Sequence, residues 1–177
     1  MANSNRVIVT GSRDFPHWAS QYVYDVLLDL TRPGEALVHG AARGLDTIVD
    51  ILAGLLGNKT DPHPAKWQSA DGRTNLAAGT ERNLEMAKLG ARLCLGFLID
   101  WAPCKGTMHM LRTAHEHGIP TQAYELRTTG EFEALGSYED LLRVRQSRAA
   151  ERLHQPTIGE GARPLSRLLE EAHQGSR

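Results

Sequence analysis

The sequence has few cysteines and no excess of either charge. Its two cysteines, Cys94 and Cys104, do not form a Cys-x-x-Cys pair. A disulfide-stapled secreted domain is therefore not indicated, and a reducing compartment is the default expectation. The formal net charge is −1. The overall charge therefore gives no indication of a nucleic-acid partner or of binding to an acidic membrane surface.

Long apolar runs are also missing. No stretch approaches the roughly 20 apolar residues that a helix needs to span a bilayer. The N-terminus has no basic segment followed by an apolar run, which is the pattern of a secretory signal. We therefore expect a cytoplasmic protein without a membrane partner.

Short apolar strands and amphipathic helices alternate in the first two thirds of the chain. The predicted strands are 6–10, 36–39, 59–63, 92–99 and 119–124, and the predicted helices are 19–30, 45–56, 80–89 and 106–117. This alternation predicts an α/β fold, a Rossmann-like parallel sheet flanked by helices on both faces. The predicted domain spans residues 1–126.

Residues 127–177 do not continue the alternation. Ser137 and Asp140 have capping-box spacing in front of a leucine-containing segment, which predicts a helix. Residues 155–164 have the composition of a linker, and 165–173 are predicted as a short final helix. We predict that 127–177 is a C-terminal helical extension, packed on the domain or on a partner.

Four polar segments follow predicted strands or begin predicted helices, at 10–13, 39–46, 78–86 and 103–107. Each has an ordinary structural explanation, such as a surface turn, a glycine-rich helix start, a local salt bridge or an N-cap threonine. Because the carboxyl ends of parallel strands share one edge of a sheet, all four would lie on the same side. Their common placement predicts one ligand cleft.

Arg82 gives the clearest local indication of an anion. It lies in the first turn of a predicted helix, where a cation is unfavourable to the helix dipole. Trp67 and Trp101 lie on the loop side, where each can stack on a base or serve as an apolar plug. The histidines give no metal-ligating pattern: His115 and His117 point in different directions on a helix. We predict neither a metal nor another cofactor.

The order of the motifs resembles the YspA/YpsA-related branch of the SLOG superfamily over residues 6–124. The matching segments are Gly11-Ser12-Arg13, His39 to Asp46, Pro64-Ala65-Lys66-Trp67, Ala78 to Met86 and Gly106-Thr107. The resemblance implies a Rossmann-like domain that binds or senses a nucleotide-derived ligand, including ADP-ribose-like molecules. It also implies a homo-oligomer, because the related Lonely Guy enzymes form dimers.

The resemblance assigns roles to the motif residues. Arg13, Arg43 and Arg82 would meet phosphate, the glycines and Thr107 would shape a backbone cradle, and Asp46 would accept from a ribose hydroxyl or orient an arginine. The candidate ligand-binding residues are Gly11, Ser12, Arg13, His39, Gly40, Arg43, Gly44, Asp46, Trp67, Gly79, Arg82, Asn83, Gly106 and Thr107.

An enzymatic alternative stays open. Lonely Guy proteins are phosphoribohydrolases that cleave the N-glycosidic bond of nucleoside monophosphates, and Met110 stands where their catalytic glutamate would fall. A carboxylate is the usual stabiliser of an oxocarbenium-like transition state, which methionine does not supply. In a hydrolase of nucleoside monophosphates or ADP-ribose derivatives, Arg82 and Asp46 would be the candidate catalytic residues.

Overall fold

A computed structural model describes residues 5–68 and 71–154. Its strands are β1 (Arg6–Gly11), β2 (Ala36–His39), β3 (Lys59–Pro62), β4 (Leu93–Ile99), β5 (Thr121–Leu126) and β6 (Phe132–Gly136). Its helices are α1 (Ser20–Leu30), α2 (Leu45–Leu56), α3 (Ala78–Lys88), α4 (Lys105–Glu116) and α5 (Tyr138–His154), and a short 3-10 helix (His17–Ala19) precedes α1. The nine elements predicted within residues 6–124 are all present; β2 and α2 have the predicted bounds, and the ends of the other seven are shifted.

The strands form one sheet in the order β3-β2-β1-β4-β5-β6. The first five are parallel, and β6 runs antiparallel to β5. Helix α1 contacts α2, and α3 contacts α4. Since crossovers between parallel strands are right-handed, the two pairs cover opposite faces of the sheet. The predicted Rossmann-like α/β fold is confirmed.

The apolar strands β1 and β4 form the centre of the core. Val7, Ile8 and Val9 of β1 are fully buried, and so is Phe97 of β4. Near-continuous apolar runs are typical of strands that are covered on both faces, which explains why these two strands are recognisable in the sequence. Within the described part of the chain, no helix is long and apolar enough to cross a membrane.

Strand β6 corrects the prediction that the helical extension begins at residue 127. A turn closed by Gly130, with φ +88°, returns the chain along β5. Phe132 then stacks on Tyr124, with ring centroids 5.6 Å apart, and on Tyr22 of α1, at 4.9 Å. The sequence does not indicate this strand, because it contains helix-compatible residues such as Glu133 and Ala134. The aromatic contacts that hold it are made with residues distant in the chain.

The predicted capping box lies at the start of α5. Asp140 N donates to Ser137 Oγ at 3.2 Å, and Ser137 N donates to Asp140 Oδ2 at 3.1 Å. The chain divides into two compact units, the first ending at Leu142 and the second beginning at Arg143. The predicted linker and final helix, 155–164 and 165–173, lie outside the described residues.

A buried ion pair ties the start of β4 to the segment before β2. Arg92 donates to Glu35 through Nε at 2.5 Å and Nη2 at 2.6 Å, and Glu35 is only 3% exposed. Arg92 Nη2 also donates to Leu30 O at 2.7 Å. The hydrogen bond from Arg92 holds the pKa of Glu35 below its usual value, against the opposing effect of burial.

We expect Glu35→Gln to lower the free energy of unfolding by about 1–2 kcal/mol at pH 7, because it weakens a charge-assisted pair. The lowered pKa of Glu35 means that its contribution is present above the unfolded-state pKa, near 4.5, and is lost as the pH falls through the folded-state value. Urea unfolding from pH 7 to pH 3 should show the wild-type advantage shrinking only below about 4.5. A constant difference across that range would contradict the ion pair.

Candidate functional site

The loops after β1 and β4 and the first turns of α3 and α4 surround a cleft of about 640 Å³. Strands β1 and β4 are neighbours in the sheet, and the order of the strands runs outwards from them in both directions. Their carboxyl ends therefore form the switch point at which open α/β sheets hold ligands. The cleft lies on the sheet edge where the four polar segments were predicted to meet.

Eleven of the fourteen predicted residues line this cleft. They are Gly11, Ser12, Arg13, Gly40, Asp46, Trp67, Gly79, Arg82, Asn83, Gly106 and Thr107. The other three, His39, Arg43 and Gly44, are not part of its lining. The chain thus brings residues from five separate segments to one surface.

Arg82 is fixed in the cleft wall by three backbone and side-chain acceptors. Its Nη1 donates to Gly40 O at 2.5 Å and to His63 O at 3.2 Å, and its Nε donates to Asn83 Oδ1 at 2.9 Å. A guanidinium has five N–H donors, and among residues 5–68 and 71–154 no acceptor engages the two on Nη2, which are therefore available to a ligand. A Cβ at Gly40 would overlap the guanidinium, which explains the glycine at that position.

Asp46 lies under the loop between β2 and α2. It is 6% exposed, and its Oδ2 accepts from Ala42 N at 3.0 Å. Burial raises the pKa of Asp46, while the hydrogen bond from Ala42 and the nearby charges of His39 and Arg82 oppose that rise. The carboxyl group therefore holds the loop through Ala42 and interacts with the positive charge of Arg82. Its hydrogen bond with Ala42 N uses a backbone amide near the α2 N-terminus, in a segment that the sequence analysis assigned to the ligand cleft.

The three residues outside the lining have structural contacts of their own. Arg43 is exposed and pairs with Asp14 at 3.0 Å. The fully buried His39 accepts from Ala41 N at Nδ1, 3.3 Å away, and its Nε2 lies 3.1 Å from Asp50 Oδ1. Gly44 has φ +76°, and a Cβ added there would overlap the backbone of residues 12–13. None of the three lines the cleft, although Asp14, the partner of Arg43, does.

The first turn of α4 forms the opposite wall. Lys105, Gly106 and Thr107 line the cleft there, and this turn contains no acidic residue. Amide groups at a helix N-terminus favour an anion. His109, one turn further, also lines the cleft. Lys105 belongs to the predicted segment 103–107, but neither it nor His109 was among the candidate ligand-binding residues, although their i, i+4 spacing on a helix that starts at the sheet edge was a usable signal. Met110 is fully buried.

An apolar rim borders the charged groups. Trp67 and Leu76 line the cleft while remaining 44% and 89% exposed. The guanidinium carbon of Arg13 lies over the Trp67 ring, 5.5 Å from its centroid. Such a cation–π contact holds the arginine at the mouth of the cleft. Trp101, the other tryptophan considered for stacking, is exposed and does not line the cleft.

The cleft combines charged side chains with an apolar rim. Arg13, Arg82 and Lys105 carry its positive charge, against Asp14 and Asp46. Asp14 is already paired with Arg43 outside the lining. Across residues 5–68 and 71–154, no group of three or more His, Cys, Asp or Glu side chains is arranged to hold a metal ion.

The fold and the cleft define a Rossmann-like α/β protein with an open site at its switch point. The chain is 38% identical over 123 residues to the Gene 61 protein of Mycobacterium phage D29. The match covers 65% of this chain and 92% of that protein, and the chain belongs to the same family. No protein-family model matches the chain. No solved structure matches it either.

Proposed function

We propose that the cleft binds a nucleotide-derived ligand, either a nucleotide or an ADP-ribose-like molecule, and that the protein acts as a binding or sensing domain. The observation that carries this proposal is the fixed position of the Arg82 guanidinium in the cleft wall. This guanidinium is fixed by three acceptors, and in the described part of the chain the two N–H groups of Nη2 have no acceptor. A preorganised arginine of this kind suits phosphate, which accepts paired hydrogen bonds.

The phosphate end of the ligand would lie between Arg82 and the first turn of α4. Burial lowers the pKa of Arg82, as does the neighbouring charge of Arg13, whereas Asp46 raises it. A bound anion would offset the repulsion between the two arginines. Lys105 and the amides at the start of α4 would supply further positive potential.

The apolar rim supports a flat group at the other end of the ligand. Trp67 offers a ring face, and Leu76 offers aliphatic surface beside it. Base–aromatic stacking contributes about 1–3 kcal/mol per base. A sugar phosphate without a base would leave this rim unused. The ordered motifs that resemble the SLOG superfamily support the same class of ligand.

Isothermal titration of the full chain with AMP, ADP-ribose, ribose 5-phosphate and inorganic phosphate tests the proposal. We expect AMP and ADP-ribose to bind more tightly than ribose 5-phosphate, because only they can stack on Trp67. Trp67→Ala should reduce this preference, while Trp101→Ala, outside the lining, should leave it unchanged. Binding of none of the four at concentrations near 1 mM, which corresponds to about −4 kcal/mol, would reject the proposal.

A second candidate function is hydrolysis of the N-glycosidic bond. The buried carboxyl of Asp46 in the cleft, with its raised pKa, favours it because perturbed carboxyls are common in active sites. Mass spectrometry of the same incubations would detect a released base. Turnover that Asp46→Asn abolishes would favour the enzyme, whereas binding without turnover would favour the sensor.

A further inference from the structure

Asn83 has one permitted amide orientation. Its Oδ1 accepts from Arg82 Nε at 2.9 Å, and its Nδ2 donates to Gly106 O at 3.2 Å. An arginine Nε can only donate and a carbonyl oxygen can only accept. Turning the amide round would set donor against donor at Arg82 and acceptor against acceptor at Gly106. The network thus assigns the amide.

This orientation determines the protonation of His109. The second hydrogen of Asn83 Nδ2 faces His109 Nδ1, 3.2 Å away. Thr113 Oγ1 is 3.4 Å from the same nitrogen, and because its proton goes to His109 O at 2.8 Å it offers Nδ1 only an acceptor. The Asn83 contact is shorter, and a protonated Nδ1 would set donor against donor there. Nδ1 must therefore be an acceptor. In a neutral imidazole with an unprotonated Nδ1, the proton is on Nε2.

His109 is placed to use that proton in the cleft. It lies one helical turn after Lys105 on α4, and both residues line the cleft. Within the described residues, no hydrogen bond engages its Nε2. Burial lowers the pKa of His109, and Arg112 lowers it further against the opposing effect of Glu116. The neutral ring is thus favoured at neutral pH.

We infer that His109 is a ligand-binding residue that donates from Nε2–H to an oxygen of the ligand, and that Asn83 is the residue that sets its tautomer. This inference rests on the proposed function. The oxygen it meets belongs to the phosphate held at the start of α4, since Gly106 and His109 share the Asn83 amide. The hydrogen bonds that join Arg82, Asn83 and His109 thereby couple the donors of α3 to those of α4.

The tautomer is measurable without any ligand. In the full-length protein labelled with ¹⁵N in its histidine rings, two-bond ¹H–¹⁵N spectra should show His109 with an acceptor Nδ1 and a protonated Nε2. Asn83→Asp replaces the donor by a carboxylate, so we expect Nδ1 to become protonated. Thr113→Val should leave the tautomer unchanged. The spectrum of the His109→Gln variant assigns the signal, and a protonated Nδ1 in the wild type overturns the inference.

Binding of AMP then tests the contact. Glutamine at position 109 can place an amide N–H near the Nε2 site, whereas asparagine is too short. We expect His109→Gln to keep the affinity for AMP within about twofold and His109→Asn to lose about fivefold, the effect of one hydrogen bond. Equal affinities of wild type, His109→Gln and His109→Asn would overturn the role of His109 alone. If the wild type binds neither AMP nor any of the other three ligands, the proposed function is overturned, and this role with it.

Discussion

Arg82→Ala is expected to weaken the binding of AMP or ADP-ribose at least tenfold. The substitution removes the two Nη2 donors left for phosphate and the positive charge beside Asp46. Hydrogen bonds to charged groups contribute about 1.5–3 kcal/mol each, and about 1.4 kcal/mol corresponds to a tenfold change. Isothermal titration of the folded variant measures the loss. Unchanged affinity would remove Arg82 from the site.

Arg43→Ala is the matched control. It removes the same side chain from a neighbouring loop, but Arg43 is exposed and outside the lining, so only its neutralisation of Asp14 is lost and the affinity should fall much less than in Arg82→Ala. Arg82→Lys separates charge from geometry. A lysine has the charge but not the fork that reaches Gly40 O, His63 O and Asn83 together, so most of the loss should persist. Equal losses in the Arg43 and Arg82 variants would point to a non-specific charge effect.

The sequence predicts the strands of the sheet well where a strand is buried on both faces, because its residues are then almost all apolar. Strands β1 and β4 are short, apolar and covered on both faces, so their composition alone identifies them. Strand β6 has only one buried residue, Leu135, and is held by Phe132 stacking on residues distant in the chain. The periodicity of apolar residues along the sequence does not report contacts between distant residues.

The site was predictable to the level of segments, not of side-chain roles. Parallel topology carries all four segments to one edge, which is why most of the predicted residues share the cleft. The sequence does not reveal that Arg43 pairs with Asp14 and stays out of the lining, or that His39 is a buried support for the loop. His109 went unassigned because its significance comes from Asn83, which lies 26 positions away.

Gly44 was predicted to line a ligand cradle, and the structure gives it a different task. With φ +76° and ψ −121°, it adopts a backbone conformation that an L-residue rarely takes. A Cβ there would overlap the carbonyl oxygens of Ser12 and Arg13. The close approach lets Leu45 N donate to Ser12 O at 3.2 Å, which joins the start of α2 to the loop after β1.

We therefore expect Gly44→Ala to lower the free energy of unfolding by about 3 kcal/mol, which combines left-handed strain with backbone overlap. Gly34→Ala is the matched control, because Gly34 has φ +86° but nothing within 4 Å of an added Cβ. That variant should lose only about 1–2 kcal/mol. Urea unfolding at constant m-value measures both. Because the overlap displaces Arg13, the Gly44 variant should also bind AMP more weakly. Equal losses of stability at the two glycines would show that conformational strain alone, and not the contact with the loop after β1, requires glycine at position 44.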